Sequence, residues 1–343
     1  MMKVNFFDVG QGDSISIEWE NDDGTEGIAI IDCNLVSGKN VIIEYLKEKE
    51  IKQIDYIILS HPHHDHYSGI LSLLEYCFSK QIVIKHFLHT CKQVPDFILA
   101  ATTSPVEQNE LFKLFGTLKS KSKEINIACI QANGLTDTFF LNEKLEVKIL
   151  SPSFMEEESY NKNALPKILE EEAGCDPNAN FLSSVITISN VENDWSVLLT
   201  SDCMSRSLRR IKKAKLLNEK RKVVLAQSPH HGSKHNHYSN FWKPNFFNKS
   251  DLACIVFSVG VNSYGHPNDS VYDFFLKEGF NIFSTMNIRE LKEAAPKRID
   301  VSSYFDAFGL IKEESENEGI PRNNQFFKIN DQGIISKETT FSF

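Results

Sequence analysis

The stretch SHPHHDHYSG, residues 60–69, places His61, His63, His64 and His66 with Asp65 inside six consecutive positions. Four of the chain's eleven histidines are spent there. It follows IDYIILS, an apolar run from Ile54 to Ser60 that reads as a buried strand. A loop leaving such a strand turns His61 and His63, two apart, towards one point, and the adjacent Asp65 and His66 towards a second point nearby. Imidazole nitrogen and carboxylate oxygen are what Zn2+, Mn2+ and Fe2+ bind. The plain alternative is a polar surface loop rich in histidine. A density of four in six, directly after a buried strand, weighs against it.

The neighbouring segments repeat the order strand, loop, helix. KVNFFDVGQGDSISIEWE (3–20) reads as two strands around a glycine-containing turn, the second alternating Ile15, Ile17 and Trp19 against Ser16 and Glu18. GIAIIDCN (27–34) is a short strand, KNVIIEYLKEKEI (39–51) has helical spacing, and GILSLLEYCFSK (69–80) is a helix. Further on, a strand is predicted at 82–89, an amphipathic helix at 104–123, and three strands within 125–152. An acidic insertion with a short helix is predicted at about 153–180. FLSSVITIS and WSVLLTSD (181–202) read as antiparallel neighbours. Residues 205–222 read as one helix carrying nine Lys/Arg and one Glu. Two more strands end in polar loops at 228–233 and 258–268, and Asp269 to Gly279 is bounded as a capped helix. A terminal hairpin fits 323–338. This alternation indicates an α/β architecture with helices covering the sheets.

At 343 residues, 41% apolar and 24% charged, the chain has the make-up of a globular protein able to bury a sizeable core. A net charge of −9 argues against a bulk nucleic-acid coat protein but leaves room for a local basic groove. Seven cysteines, an odd number with no C-x-x-C pair, suit a reducing compartment. No signal peptide or membrane-spanning run is visible, so a cytoplasmic protein without membrane association is expected.

HPHHDH matches the H-x-H-x-D-H signature of the metallo-β-lactamase superfamily. FFDVGQGDS (6–14), NFLSSVITIS (180–189), LLTSD (198–202), SPHHGS (228–233) and SVGVNSYGHPN (258–268) resemble, in order, one branch of it. That branch holds the soluble hydrolase domain of bacterial competence (DNA-uptake channel) proteins and the phosphorylcholine esterases. The resemblance spans residues 1–282 as one hydrolase domain and leaves 283–343 as a C-terminal extension packed on the same domain. It implies an α/β fold, a four-layer αββα sandwich of two mixed β-sheets with a dinuclear site at one edge.

Carried over residue by residue, the resemblance assigns His61 and His63 to a first metal and Asp65 and His66 to a second, with Asp202 bridging. One of His230 and His231 completes the first set, His231 being favoured and His230 left to touch phosphate. His266 completes the second. Asp32 is expected to brace the histidine loop, and Asp8, Gln11 and Asp13 to lie beside the cleft. Where the family has glycine before the bridging aspartate, this chain has Ser201, and Tyr67 and Ser68 follow the signature; both changes bear on cleft shape.

Two divalent ions, Zn2+ or Mn2+, lower the pKa of a shared water and neutralise an electrophile's oxygens. The activity implied is a metal-dependent hydrolase, foremost a phosphodiesterase or nuclease, with Asp65, His230 and Tyr264 as catalytic groups. Ser233, Asn262 and Arg206 are expected to contact a phosphate-containing substrate such as a nucleic acid or nucleotide. Arg206, Arg209 and Arg210 begin the basic segment just after Asp202 and would draw in a polyanion. A lactone or thioester hydrolase and a metal-stabilised interaction module are the alternatives. A homo-oligomer, or a protein partner from the same operon, stays open.

Overall fold

Strand-forming runs of β-branched and aromatic residues build two sheets. In chain order the strands are β1 (Met2–Phe6), β2 (Ser14–Glu20), β3 (Glu26–Cys33), β4 (Gln53–Leu59), β5 (Val83–His89), β6 (Ala128–Gln131), β7 (Phe139–Phe140) and β8 (Leu145–Ser151). There follow β9 (Val185–Asn190), β10 (Trp195–Leu199), β11 (Lys222–Gln227), β12 (Cys254–Phe257), β13 (Asn281–Ser284), β14 (Gln325–Ile329) and β15 (Ile335–Lys337). The architecture comes from a computed structural model that describes residues 1–91, 100–102, 104–168, 178–243, 247, 253–288 and 323–338. One sheet runs β15-β14-β1-β2-β3-β4-β5-β6 and the other β13-β12-β11-β10-β9-β8-β7. Both are mixed: β3 to β6 and β10 to β13 are parallel, the remaining pairs antiparallel.

Alternation in β2 shows how the layers are specified. Ile15, Ile17 and Trp19 point into the layer between the sheets, where they meet Val147, Ile186, Ile188 and Val197. Ser16 and Glu18 point the other way, where Asn5 donates to both side chains and Tyr45 of the helix Val41–Glu48 donates to Glu18. Helices Val41–Glu48, Ile70–Ser79 and Pro105–Ile125 close the outer face of the first sheet with Ile42, Leu46, Leu73, Leu74, Leu111 and Leu114. Helices Ser205–Lys213, Ser239–Trp242 and Asp269–Lys277 close the second with Leu208, Ile211, Trp242 and Phe275. Three stacked apolar layers separate four layers of secondary structure, helices, sheet, sheet and helices, an αββα sandwich.

Local signals explain most boundaries. The Asn40, Ser104 and Asn268 side chains accept from the backbone amides of Ile43, Glu107 and Ser270, capping three helices at their starts. Gly279, at φ 82°, follows the last turn of Asp269–Lys277. The predicted hairpin forms as β14 and β15, and β14 pairs along β1. Residues 289–322 and 339–343 of the extension, and 169–177 of the acidic insertion, lie outside the described residues.

The basic helix is shorter than its composition suggests. It ends at Lys213, and Lys215 takes a left-handed φ of 51°. Nor are all its cations free. Arg210 binds Glu156, buried at the start of the helix Phe154–Ile168, through a 3.1 Å ion pair and also donates to the Leu150 carbonyl. Part of the acidic insertion therefore neutralises part of the basic segment. Among the described residues, no helix is long and apolar enough to cross a membrane.

Candidate metal centre

The strands deliver the chemistry at their carboxyl ends, the usual place for sites in open α/β sheets. Asp32 is in β3, the 61–66 cluster follows β4, Asp202 follows β10, His230 and His231 follow β11, and His266 lies beyond β12. The two sheets are pinned together just behind these ends. Ser201 Oγ donates to Ser60 Oγ at 2.7 Å, Gln227 Nε2 to Asp13 Oδ2 at 2.8 Å, and Ser258 Oγ to the Gly12 carbonyl at 2.9 Å. Gly12 is required there, because a Cβ would stand 2.3 Å from the Asp65 carbonyl at a φ of 133°.

Asp202, buried, faces a different set of donor atoms with each carboxylate oxygen. Its Oδ2 lies 3.4 Å from His230 Nε2 and 3.9 Å from His61 Nε2, which is 3.0 Å from His63 Nδ1. Its Oδ1 lies 3.4 Å from His231 Nε2 and 3.5 Å from His66 Nε2. Asp65 closes the second set, Oδ2 at 3.6 Å from His231 Nε2 and Oδ1 at 3.9 Å from His66 Nε2. These are non-bonded spacings. A tetrahedral ion with ligands at about 2.1 Å has ligand-to-ligand edges of about 3.4 Å.

The donor atoms on the His66–His231 side are also idle. His66 Nε2, His231 Nε2, Asp202 Oδ1 and Asp13 Oδ1 are buried without a hydrogen-bond partner. Orphaned buried polar atoms are rare and costly. Several on one point fit the closing of the site by cations. His61, His66 and Asp202 form one such group and Asp65, His66 and His231 another; Asp13 adds a third acid beside Asp202 and His231.

Behind these atoms, each ring's far side is engaged. His231 Nδ1 lies 2.7 Å from the Ser258 carbonyl, so it carries a proton there and Nε2 is the nitrogen turned to the site. His66 Nδ1 lies 2.7 Å from Asp32 Oδ2, and Asp32 also accepts the Ser60 amide and hydroxyl. Asn180, just before β9, holds His230 Nδ1 at 3.2 Å; its Oδ1 is left without a partner, and turning the amide over would let that oxygen accept the ring proton.

Electrostatics divide the two sets. Burial alone would lower His66, but Asp65, Asp202 and Asp32 outweigh it and hold it well above the usual imidazole range. Burial likewise opposes His231, yet Asp202, Asp65 and Asp13 raise it to about 9. Asp202 is resisted by burial and driven well below the usual carboxylate range by His230, His231 and His66. Burial keeps His61, His63 and His230 below the ordinary value, and His266 at about 4. Without ions, the His66–His231 side carries protons where the other side is neutral.

The structure brings His61, His63, Asp65, His66, Asp202, His230 and His231 together. His231, favoured by sequence for the set of His61 and His63, stands with Asp65 and His66, and His230 stands on the His61 side. The His266 ring lies beside His230, centroids 5.4 Å apart, with its Nδ1 buried and without a hydrogen-bond partner. Tyr264 lies at the rim, 70% exposed, 5.8 Å from the His266 ring. Asn262 spends its amide on its own loop, donating to the Gly260 and His266 carbonyls and accepting from the Tyr264 and His266 amides. Ser233 is buried, its amide bonded to the His230 carbonyl. The guanidinium of Arg206 stacks 3.5 Å over Phe181, the residue after Asn180, and Arg209 stacks over Tyr238. Asn180, Ser60 and Gln227 have roles that sequence did not suggest. Ser60 and Gln227 touch the site from strand ends, and Asn180 from the short turn Ala179–Leu182.

The metallo-beta-lactamase superfamily model matches residues 8–109, the part carrying Asp13, Asp32 and the 61–66 cluster. Among solved structures, the metallo-beta-lactamase fold protein YhfI of Bacillus subtilis shares 13% identity, covering 83% of this chain and 96% of its own, with a TM-score of 0.43. Unliganded yeast PDE1 shares 8% identity over 84% of this chain and 98% of its own, TM-score 0.46. A diphosphatase of the PhnP family shares 10% identity over 82% and 94%, TM-score 0.43. No curated protein matches the chain significantly in sequence.

Proposed function

We propose that this chain is a dinuclear metal-dependent hydrolase whose substrate is a phosphodiester, in a nucleotide or a nucleic acid. The observation that carries the reading is Asp202, a buried carboxylate set between two clusters of imidazole nitrogens, with its own Oδ1 and the His66 and His231 Nε2 atoms left without a hydrogen-bond partner. His61, His63 and His230 would hold one divalent ion, Asp65, His66 and His231 the other, with Asp202 shared. Bound there, the pair would supply a water acidic enough to attack at neutral pH and positive charge against the oxygens of the phosphoryl group.

The chain's own groups do the rest. Asp65 is the one acid of the clusters that reaches solvent, its side chain 36% exposed against 3% for Asp202 and 1% for Asp13 and Asp32, so it is placed to orient the attacking water. The Tyr264 hydroxyl, at the open rim, is placed to give the leaving oxygen its proton. His266, neutral at pH 7, borders the same opening and offers a hydrogen bond to the substrate.

Arg206 supports an extended anionic substrate. Among the described residues no carboxylate pairs with it, and its stack on Phe181 holds it next to the segment that touches His230. Replacing Arg206 with alanine should raise KM for a short oligonucleotide about tenfold, the effect of one charged contact of about 1.5 kcal/mol. The turnover number, and KM for bis(p-nitrophenyl) phosphate, which is too small to reach it, should stay unchanged. The reading as a whole is tested by metal analysis together with bis(p-nitrophenyl) phosphate cleavage. Two ions per chain and diesterase turnover are expected. Two ions with turnover only of a lactone or thioester would replace the substrate, and a chain that takes up no ion would end the reading.

A further inference from the structure

Ser201 occupies a backbone conformation, φ 44°, in which a side chain is a liability and glycine is favoured. Its hydroxyl is buried and lies 2.7 Å from Ser60 Oγ and 3.3 Å from His61 Nδ1, contacts that glycine would lack. Ser60 Oγ in turn lies 2.6 Å from Asp32 Oδ2 and 3.1 Å from His61 Nδ1. The same Asp32 oxygen is 2.7 Å from His66 Nδ1.

Resting on the two-ion reading above, we propose that Ser201 and Ser60 are positioning residues that let one carboxylate, Asp32, orient a histidine in each metal set: His66 directly and His61 through two hydroxyls. Counting hydrogens fixes the direction. Asp32 accepts, so Ser60 has to give it its only proton. Ser60 oxygen is then an acceptor, and Ser201 gives its proton there. The Ser201 and Ser60 oxygens are left to accept from His61 Nδ1–H. His61 is thereby held in the tautomer whose Nε2 lone pair faces Asp202 and His63. Aligned in one direction, the bonds polarise one another, and buried groups of this kind commonly tune ligand strength. Ser201 joins segments 141 positions apart, so the same bond also sets the spacing of the two sheets at the site.

Ser201→Gly separates the relay from folding, because glycine suits the backbone better than serine does. The first measurement is the His61 tautomer in ion-free protein, read from long-range 15N–1H spectra of histidine-labelled chain. Wild type should show the Nδ1–H form alone, and Ser201→Gly a mixture with Nε2–H. The second is metal titration, where affinity for one of the two ions should fall about tenfold or more in Ser201→Gly, with the urea midpoint unchanged or higher. Ser60→Ala should shift the same two readouts and also disturb His66. A Ser201→Gly chain with His61 still wholly Nδ1–H overturns the relay, as does unchanged affinity at both ions. The tautomer is read without metal, so it decides the relay even if wild-type chain takes up no ion, a result that would sink the two-ion reading alone.

Discussion

Asp202→Ala should abolish tight binding of both ions and lower kcat/KM by about a thousandfold or more, the scale of losing the group that organises a metal-assisted attack. The geometry demands a double loss. Oδ2 stands over the His61–His230 side and Oδ1 over the His66–His231 side, each within 3.9 Å of two ring nitrogens. His231→Ala removes a donor from one side only, so it should cost one ion and leave the other. Asp202→Ala also strands the positive charge that Asp202 helps hold on buried His66 and His231. Breaking a buried charge cluster costs about 3–5 kcal/mol in ion-free protein. Asp202→Asn, which keeps shape and burial, therefore controls for misfolding. Metal content by atomic emission, circular dichroism and diesterase turnover on the same samples check the result. A folded Asp202→Asn chain still holding two ions would show that the carboxylate is not shared.

How much of this was legible in the sequence depends on range. The 61–66 cluster is local, and a strand end followed by alternating donors carries its meaning in six letters. The helix ending at Gly279 and the hairpin at 323–338 are legible for the same reason, since such signals act within their own turn, although the cap at the helix start is Asn268, one residue before Asp269. What the sequence could not show is set by backbone angles or by distance along the chain. His230 and His231 both take left-handed φ, 47° and 54°, which sends adjacent rings to opposite sides of Asp202. Residue types alone do not encode that turn, and it is why His230 rather than His231 stands on the His61 side. Asn262 reads as a polar group facing substrate, yet its amide is consumed by the loop that carries His266. Arg210 reads as a free cation, yet Glu156, 54 positions away, claims it. Ser201 reads as a departure from a glycine, and only the opposing strand end explains the hydroxyl.

The other large effect expected is on metal loading as pH falls. His231 is raised to about 9 and His66 well above the ordinary 6.5, so both are protonated at neutral pH in ion-free chain. Their Nδ1 protons are committed to the Ser258 carbonyl and to Asp32, so the proton a cation has to displace is the one on Nε2, on each ring. Each displaced proton makes apparent affinity fall tenfold per pH unit below the group's pKa. For the ion held by Asp65, His66 and His231, the proton on His231 alone makes the drop from pH 8 to pH 6 about a hundredfold, and the proton on His66 adds to it in the same direction. His61, His63 and His230 lie below the ordinary value, so the other ion should lose less over that range. At micromolar metal the chain should therefore hold two ions at pH 8 and one at pH 6. Calorimetry in buffers of different ionisation enthalpy should show protons released with the pH-sensitive ion near pH 7, and fewer with the other. The sign for stability is the reverse in ion-free protein. The contribution of protonated His231 is fully present below its ordinary value of 6.5 and is lost as pH rises through about 9. Equal pH dependence for both ions, or no proton release, would show that the two sets are not divided as the carboxylates around His66 and His231 require.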